Sequence, residues 1–588
     1  MPDPPPPLRR RAAAAAAVFL LVLATRWPLR ATVLEEYDSA NYALAVVELD
    51  LFHEQPHPPG YIFYVGATRL AQAFVGDPVQ ALSATSAVSG AVSAVLLLEL
   101  LLPVLGLLPA AAAVVAVFAS AQVWLQQVRP MQDAFAMAWM LACVLALVRA
   151  TERGGRWRWC LAMGLVGLSA GAKQVLPVFF IGLLLWAVRA AWARGGVRWI
   201  AAGVAAAAMA SLAWLVPLSI HCGSLHTYLE WAVGQVAWQG RNDAAAFSMS
   251  LDRLAAQARA TFVAAAGPSW LAAPLWILAA LGAVHVARRR EHAWLLWLLL
   301  PLVAIRLLLL GEWPRFALYY LPFVITLAVI ACRAAFTRLA PAVRAIVGGA
   351  LLTAWCVLQA AHIAPTMAAL HRGPSPMSSA LDTLARRFPP AETVLLVDRA
   401  TLGRHLTYYN RAHGFRYAKE EELLPGLLRH ARHVVKLYAA ADGPRASGDW
   451  QGQGEPVGDW RLEVPRAGDL SPFQDFWNVS AFELQGAYVT LRRFRMDDDG
   501  RTFATADSAV VVFHAPPGGF RLRFRFARAG AARFAVGTRS VSWDGRGSVF
   551  DLPILPTESA EGRVRVDITP ECGEPSCLEL AGVDVAVP

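Results

Sequence analysis

Two aspartates stand where a strongly apolar chain would pass between lipid and water: Asp38 in EEYDSANYA and Asp133 in VRPMQDAFAMAW. Between them, HEQPHPPGYIFY (residues 53–64) places His57 on a backbone stiffened by two following prolines, after which Gly60 frees the chain. Cations sit at comparable edges: Arg129 four residues before Asp133, Lys173 in SAGAKQVLP and Arg315 in GEWPRFALYYLPF. Arg306 lies inside an apolar run, where an arginine points to function by default. A carboxylate at such an edge can take a proton from an attacking hydroxyl, and partial burial raises its pKa toward working pH. Cations hold a phosphate as it leaves, each charge-assisted hydrogen bond being worth about 1.5–3 kcal/mol. The constellation therefore suits transfer of a group carried on a lipid phosphate. Each member also has a plainer role: helix capping for the aspartates, snorkelling for Lys173, a hydrogen bond to a neighbour for His57.

What must position these groups is mostly membrane. The chain has 588 residues, 56% hydrophobic and 16% charged, with a mean hydropathy of +0.43, and most of it must be solvated by lipid. The net charge of +10 does not indicate nucleic acid, because the arginines cluster between apolar runs: Arg9 to Arg11, Arg149 to Arg158, Arg189 to Arg198, Arg288 to Arg290 and Arg333 to Arg344. The alternate connections hold the acids, the asymmetry of a positive-inside membrane protein. Spans are expected near 12–34, 81–102, 107–125, 133–149, 159–173, 176–190, 198–218, 265–287, 293–311, 316–332 and 345–363. That makes about eleven crossings, with the N-terminus cytoplasmic and the C-terminal region outside. The first is read as an uncleaved helix rather than a signal peptide. The outer loop from about 26 to 80 is long, and from Asp38 onward its apolar spacing predicts an amphipathic helix along the membrane surface.

Beyond residue 363 the composition is that of a globular protein. Residues 364–441 alternate helical and strand-like stretches: SSALDTLARRF, ETVLLVD, GRHLTYYNRA, EELLPGLLRHAR and HVVKLYAA. They predict a small α/β unit. Residues 442–588 alternate with period two between Gly, Pro and Asp turns, which predicts a β-sandwich. Cys572 and Cys577, in ECGEPSC, are the only pair outside the apolar region, and a disulfide between them fits an oxidising compartment. No ligand set for a metal accompanies them. The sequence carries no internal repeat, P-loop, GxGxxG unit, GxSxG elbow or HExxH pair, which weighs against an ATP-driven pump.

Over residues 1–363 the chain resembles the GT-C glycosyltransferases that use polyprenyl-phosphate sugars, the group of the protein O-mannosyltransferases and the lipid A aminoarabinose transferase. Such proteins carry an acidic motif after the first span, commonly Asp-Glu before a Tyr-Ala helix, and then Lys-Pro-Pro. Here DSANYA (38–43) and HPPGY (57–61) stand at the matching places. The resemblance implies that Asp38 is the catalytic acid and that Asp133 matches the acid of the second loop. Ser39 replaces the usual second acid, for which Glu36 is the nearest substitute. His57 stands where the family has a phosphate-binding lysine, so Lys173, Arg315 and Arg129 would carry more of the charge that binds the lipid phosphate. The expected fold is thus a polytopic, GT-C-like helical membrane domain followed by an extracytoplasmic α/β unit and sandwich. The expected function is transfer of a sugar from a polyprenyl-phosphate donor to a glycan, lipid or protein acceptor at the outer face of a bacterial inner membrane. No cofactor is required by the motifs, and the need for a divalent cation is left open. Two readings from other classes remain: a transporter or lipid flippase, and an inactive relative acting as a binding protein.

Overall fold

The computed structural model describes residues 7–58, 60–242, 251–310, 313–371, 375–397, 400–419, 520–558, 563–571 and the other strands named below. Two compact units result: the first holds residues 1–34 and 38–373, the second residues 35–37 and nearly all of 374–588.

In the first unit, unbroken apolar composition yields helices. They are α1 (Leu8–Arg26), α2 (Tyr37–Val47), α3 (Ile62–Val75), α4 (Pro78–Leu105), α5 (Leu107–Ala119), α6 (Ala121–Val128) and α7 (Asp133–Arg153). There follow α8 (Arg156–Ala172), α9 (Ile181–His221), α10 (Ala272–Arg289), α11 (Trp294–Leu309), α12 (Ala317–Ala335) and α13 (Pro341–His371). Among the described residues seven helical segments are long and apolar enough to cross a membrane, or eight if the bent pair α5–α6 is one span. The chain is an integral membrane protein. The expected number of eleven is not reached by that measure, although each expected segment is helical. α8 and α11 have only 17 and 16 residues, and residues 181–221 run together as one stretch that bends at Gly196 (φ 55°, ψ −147°).

One ion cluster sets the polarity of the bundle. Arg11 Nη2 and Arg149 Nη2 approach the same oxygen of Glu99 at 2.6 and 2.8 Å. The start of α1, the last turns of α4 and the end of α7 therefore share one end of the bundle. Asp38, which follows α1, and Asp133, which opens α7, belong to the opposite end.

α5 and α6 meet at 67° across Ser120, which breaks the helical ladder and frees backbone groups. In hydrocarbon such groups must find partners within the protein. The Phe118 carbonyl accepts from the Arg26 guanidinium, and the Ala121 N–H donates to Gln359 Oε1 at 2.8 Å. Arg26 also donates to Gln127 Oε1 at 2.9 Å and lies over the Trp124 ring. The bend is thus stitched from α1 and α13, and it delivers α6 to the turn carrying Arg129 and Asp133.

α2 departs from the surface helix expected of it. Every residue from Ser39 to Val46 is buried: both faces pack, because its polar residues (Ser39, Asn41) are small enough for an interior. The carbonyls at its C-terminal end, those of Ala45 and Val46, accept from Arg69 at 2.9 and 3.0 Å, a cation where the helix dipole favours one.

In the second unit, β1 (Thr393–Val397) pairs in parallel with β2 (Arg416–Lys419) and β3 (His433–Ala439). Helices Pro376–Arg387 and Ala400–Tyr409 lie beside it in sequence, as the alternating pattern predicts. Strands Val479–Glu483 and Trp460–Arg461 extend this sheet antiparallel. The helix expected over EELLPGLLRHAR lies outside the described residues. A six-stranded sheet runs Arg539–Trp543, Ala532–Val536, Arg563–Pro570, Ala509–His514, Tyr488–Arg492, Trp450–Gly452. A five-stranded one runs Val549–Ile554, Phe520–Arg528, Glu579–Ala586, Thr502–Ala504, Phe494–Met496. Leu522, Phe524 and Leu552 of the second sheet share a buried core with Phe534, Trp543 and Val566 of the first, which makes the pair a sandwich. Cys572 and Cys577 lie outside the described residues.

Candidate active site

The loop after α2, at the Asp38 end of the bundle, is shaped by local chemistry. Asp50 accepts from the backbone N–H of Phe52 and His53 at 3.0 and 3.3 Å, and its backbone pairs both ways with Gln55 at 2.8 and 2.7 Å. The Gly60 N–H then donates to the His57 carbonyl at 3.1 Å, closing a turn around the histidine. Gly60 has φ +99°, and a Cβ there would stand 2.8 Å from Leu218 Cδ2, so only glycine fits without strain. Pro59, the second proline of the motif, lies outside the described residues. Tyr61 follows with φ 40°, a left-handed conformation unusual for a bulky residue and one that tends to gather at functional sites.

This backbone brings His57 to Asp38. Nδ1 of the imidazole is 3.7 Å from Asp38 Oδ1, and Nε2 is 3.1 Å from the Tyr61 hydroxyl. Arg315 Nη2 donates to the other oxygen of Asp38 at 3.2 Å. The Asp38 side chain keeps 24% of its surface, enough to meet a substrate. His57 is more enclosed, and burial pushes its pKa below the usual histidine value; Asp38 and Glu54 oppose that shift, while Arg315 and Lys173 reinforce it.

Asp133 has a different setting. Its side chain is wholly buried, Oδ1 accepts from Lys173 Nζ at 2.8 Å and from the Tyr319 hydroxyl at 3.1 Å, and Gln132 Nε2 is 3.4 Å away. Lys173 therefore turns inward rather than snorkelling. It reaches Asp133 because α8 ends there and the Lys173 backbone is extended (φ −160°, ψ 116°). Tyr42 and Tyr61 lie within electrostatic reach of both aspartates and of Arg315, and Lys173 within reach of Asp38 and Arg315. Asp38, His57, Asp133, Lys173 and Arg315 are thus brought into one network. Arg129 is buried in the turn before Asp133 and within reach of both it and Arg315. Arg306 is buried and donates to the Leu310 and Trp313 carbonyls at 3.4 and 3.3 Å, bracing the segment that carries Arg315. Glu36 is buried one residue before α2 and falls in the second unit with Glu35 and Tyr37.

Sequence reasoning missed the tyrosines. Tyr42, Tyr61 and Tyr319 are not among the expected site residues, yet they form the walls of the site. The rings of Tyr42 and Tyr61 stand edge to face at 5.4 Å, those of Tyr42 and Tyr64 at 5.2 Å, and Tyr64 lies 5.7 Å from Phe135. Phe135 in turn lines an apolar groove of about 770 Å³, with Leu70, Phe74, Val88, Val92 and Trp139. A row of rings therefore links that groove to His57.

The chain superimposes on ArnT from Cupriavidus metallidurans in its apo state with a TM-score of 0.52 at 13% identity, covering 80% of this chain and 98% of that one. It has the fold of the GT-C glycosyltransferases. The Archaeoglobus fulgidus oligosaccharyltransferase is also similar, at 12% identity and a TM-score of 0.48 over 97% of this chain and 98% of that one. No family model and no curated protein sequence matches the chain.

Proposed function

We propose that the protein is a membrane glycosyltransferase that moves a sugar from a polyprenyl-phosphate donor to a hydroxyl acceptor at the outer face of a bacterial inner membrane. The observation that carries this reading is the environment of Asp38: a part-exposed carboxylate held between a guanidinium and an imidazole, in one network with the enclosed Lys173–Asp133 pair. The two aspartates then divide the work. Asp38 is the base that takes the proton from the acceptor hydroxyl, whose oxygen bonds to the anomeric carbon. The bond from that carbon to the phosphate oxygen breaks, the electron pair leaves with the phosphate, and the configuration inverts. Asp133 fixes Lys173, which with Arg315 and Arg129 forms the positive surface for the departing phosphate. The apolar groove, joined to the site by the aromatic row, suits the isoprenoid chain of the donor. Residues 1–363 would then be the catalytic domain, with the α/β unit (364–441) and the sandwich (442–588) outside the membrane.

Mass spectrometry of lipid-linked sugars from cells lacking the protein tests this reading. Accumulation of one polyprenyl-phosphate sugar, reversed by the wild-type protein and not by Asp38→Asn, is the expected result. An unchanged lipid-linked sugar pool, or full rescue by a well-inserted Asp38→Asn protein, overturns it.

A further inference from the structure

The histidine occupies the place where a phosphate-binding cation is expected, but its surroundings are wrong for that task. Nε2 is paired with the Tyr61 hydroxyl and Nδ1 faces the Asp38 carboxylate, a group that repels a phosphate. Two cations, Arg315 and Lys173, already lie within electrostatic reach of the ring, as do Asp38 and Glu54, and the rings of Tyr42 and Tyr61 pack beside it. A third positive charge beside the two cations is disfavoured, and an uncharged imidazole grips an anion poorly.

We propose that His57 is the proton carrier of the site, receiving from Asp38 the proton that Asp38 removes from the acceptor. The inference rests on the glycosyl-transfer reading. The 3.7 Å between Nδ1 and Asp38 Oδ1 is too long for a hydrogen bond. The relay requires a resting Nδ1 without a proton, and the absence of a hydrogen bond at that separation is compatible with it. Once Asp38 holds a proton, an O–H···N bond forms across that gap, and transfer leaves an imidazolium paired with a restored carboxylate. Tyr61 is the partner that this direction of transfer needs: the relay requires its hydroxyl oxygen, 3.1 Å from Nε2, to accept from Nε2–H, which keeps the ring proton on Nε2 and leaves Nδ1 empty. The imidazolium then sheds its proton to water after the sugar has moved, and the cycle balances without any other reactant. The left-handed Tyr61 backbone and the obligatory Gly60 turn are the local strain that holds the two rings in this relation.

Three measurements on the full-length protein in lipid nanodiscs test the proposal. In ¹⁵N-histidine spectra compared with those of His57→Gln, the resting His57 is expected as the Nε2–H tautomer; an Nδ1–H tautomer overturns the relay regardless of activity. Binding of undecaprenyl phosphate is expected to be unchanged within about twofold in His57→Gln, while turnover falls about a hundredfold. The acidic limb of the pH–rate profile is expected to move with it, since only the limb set by ionisation of the base Asp38 then remains. Tenfold weaker binding of the lipid phosphate, or wild-type turnover in His57→Lys, means that the residue is a phosphate clamp and refutes the proposal. Tyr61→Phe keeps the ring packing and is expected to slow turnover about tenfold at unchanged donor KM; unchanged turnover counts against the relay. A wild-type protein that neither binds the lipid phosphate nor transfers sugar overturns the glycosyltransferase reading itself, a result distinct from a wrong tautomer.

Discussion

Lys173 Nζ donates to Asp133 Oδ1 at 2.8 Å, and both side chains are shut away from water, the aspartate completely. A buried ion pair earns little over an apolar pair of the same size, but removing one partner strands the other charge at a cost of about 3–5 kcal/mol. Lys173→Met is therefore expected to lower the thermal midpoint of the purified protein sharply. The double variant Lys173→Met with Asp133→Asn is expected to recover most of the loss. With Asp133→Asn measured alone to close the cycle, a double variant whose loss equals the sum of the two single losses would show that the pair does not couple.

Arg315 meets Asp38 across 277 positions of sequence, and its guanidinium is also the proposed phosphate donor nearest the base. Losing one charge-assisted hydrogen bond of about 1.5–3 kcal/mol corresponds to a loss of about 10- to 150-fold in kcat/KM. Arg315→Met is expected to show that loss mainly as a raised donor KM, with Arg315→Lys in between, since an ammonium keeps the charge but not the fork. Steady-state kinetics with varied donor decide; an unchanged KM in Arg315→Met would remove Arg315 from the phosphate site.

The charged part of this site was legible before any coordinates, and the physical reason is cost. Charge is expensive within an apolar run and cheap only at its margin, so Asp38, Asp133, Lys173 and Arg315 are confined to the margins, where several facing one side stand out together. The partners that define their chemistry do not stand out. Tyr319 and Tyr61 sit in aromatic-rich runs that look like ordinary interfacial belts, and only long-range packing turns their hydroxyls toward Asp133 and His57. The same holds for Arg26 and Gln359, whose roles depend on a break in α5–α6 that neither residue's own neighbourhood reveals. Periodicity misjudged α2 for a related reason: its apolar spacing is compatible with one buried face, and burial of Ser39 and Asn41 on the other face is a tertiary fact. In the second unit, period-two alternation was sufficient for the sandwich, because sheets packed face to face impose that pattern on every strand.

Gly60→Ala gives a test of the turn that holds His57. The substitution places a Cβ 2.8 Å from Leu218 Cδ2 and demands φ +99° of an alanine, a conformation costing about 1–3 kcal/mol. Turnover is expected to drop with the thermal midpoint. Adding Leu218→Ala relieves the clash but not the backbone cost, so the double variant is expected to recover only in part. Full recovery of both turnover and midpoint would mean that sterics alone, and not the left-handed backbone, require glycine there.

The sandwich carries its own pH dependence through Glu558. Arg539 donates to both of its oxygens at 2.8 and 2.9 Å, and this pairing holds the Glu558 carboxyl below its usual pKa. With the folded value depressed relative to about 4.3 in the unfolded chain, the unfolded state binds the proton more readily. The contribution of this pair to stability is therefore complete above about pH 5 and is lost as the pH falls through the folded value. Partial exposure of the Arg539 side chain, 29%, screens the pair and keeps its effect modest. Hydrogen–deuterium exchange of strand Val549–Ile554 in the full-length protein is expected to accelerate between pH 5 and pH 3, after correction for intrinsic exchange, in the wild type and much less in Glu558→Gln. Equal acceleration in the two proteins would assign the acid sensitivity of this strand to other carboxylates, of which Asp551, paired with Arg523 at 2.8 and 2.9 Å, is the next to substitute.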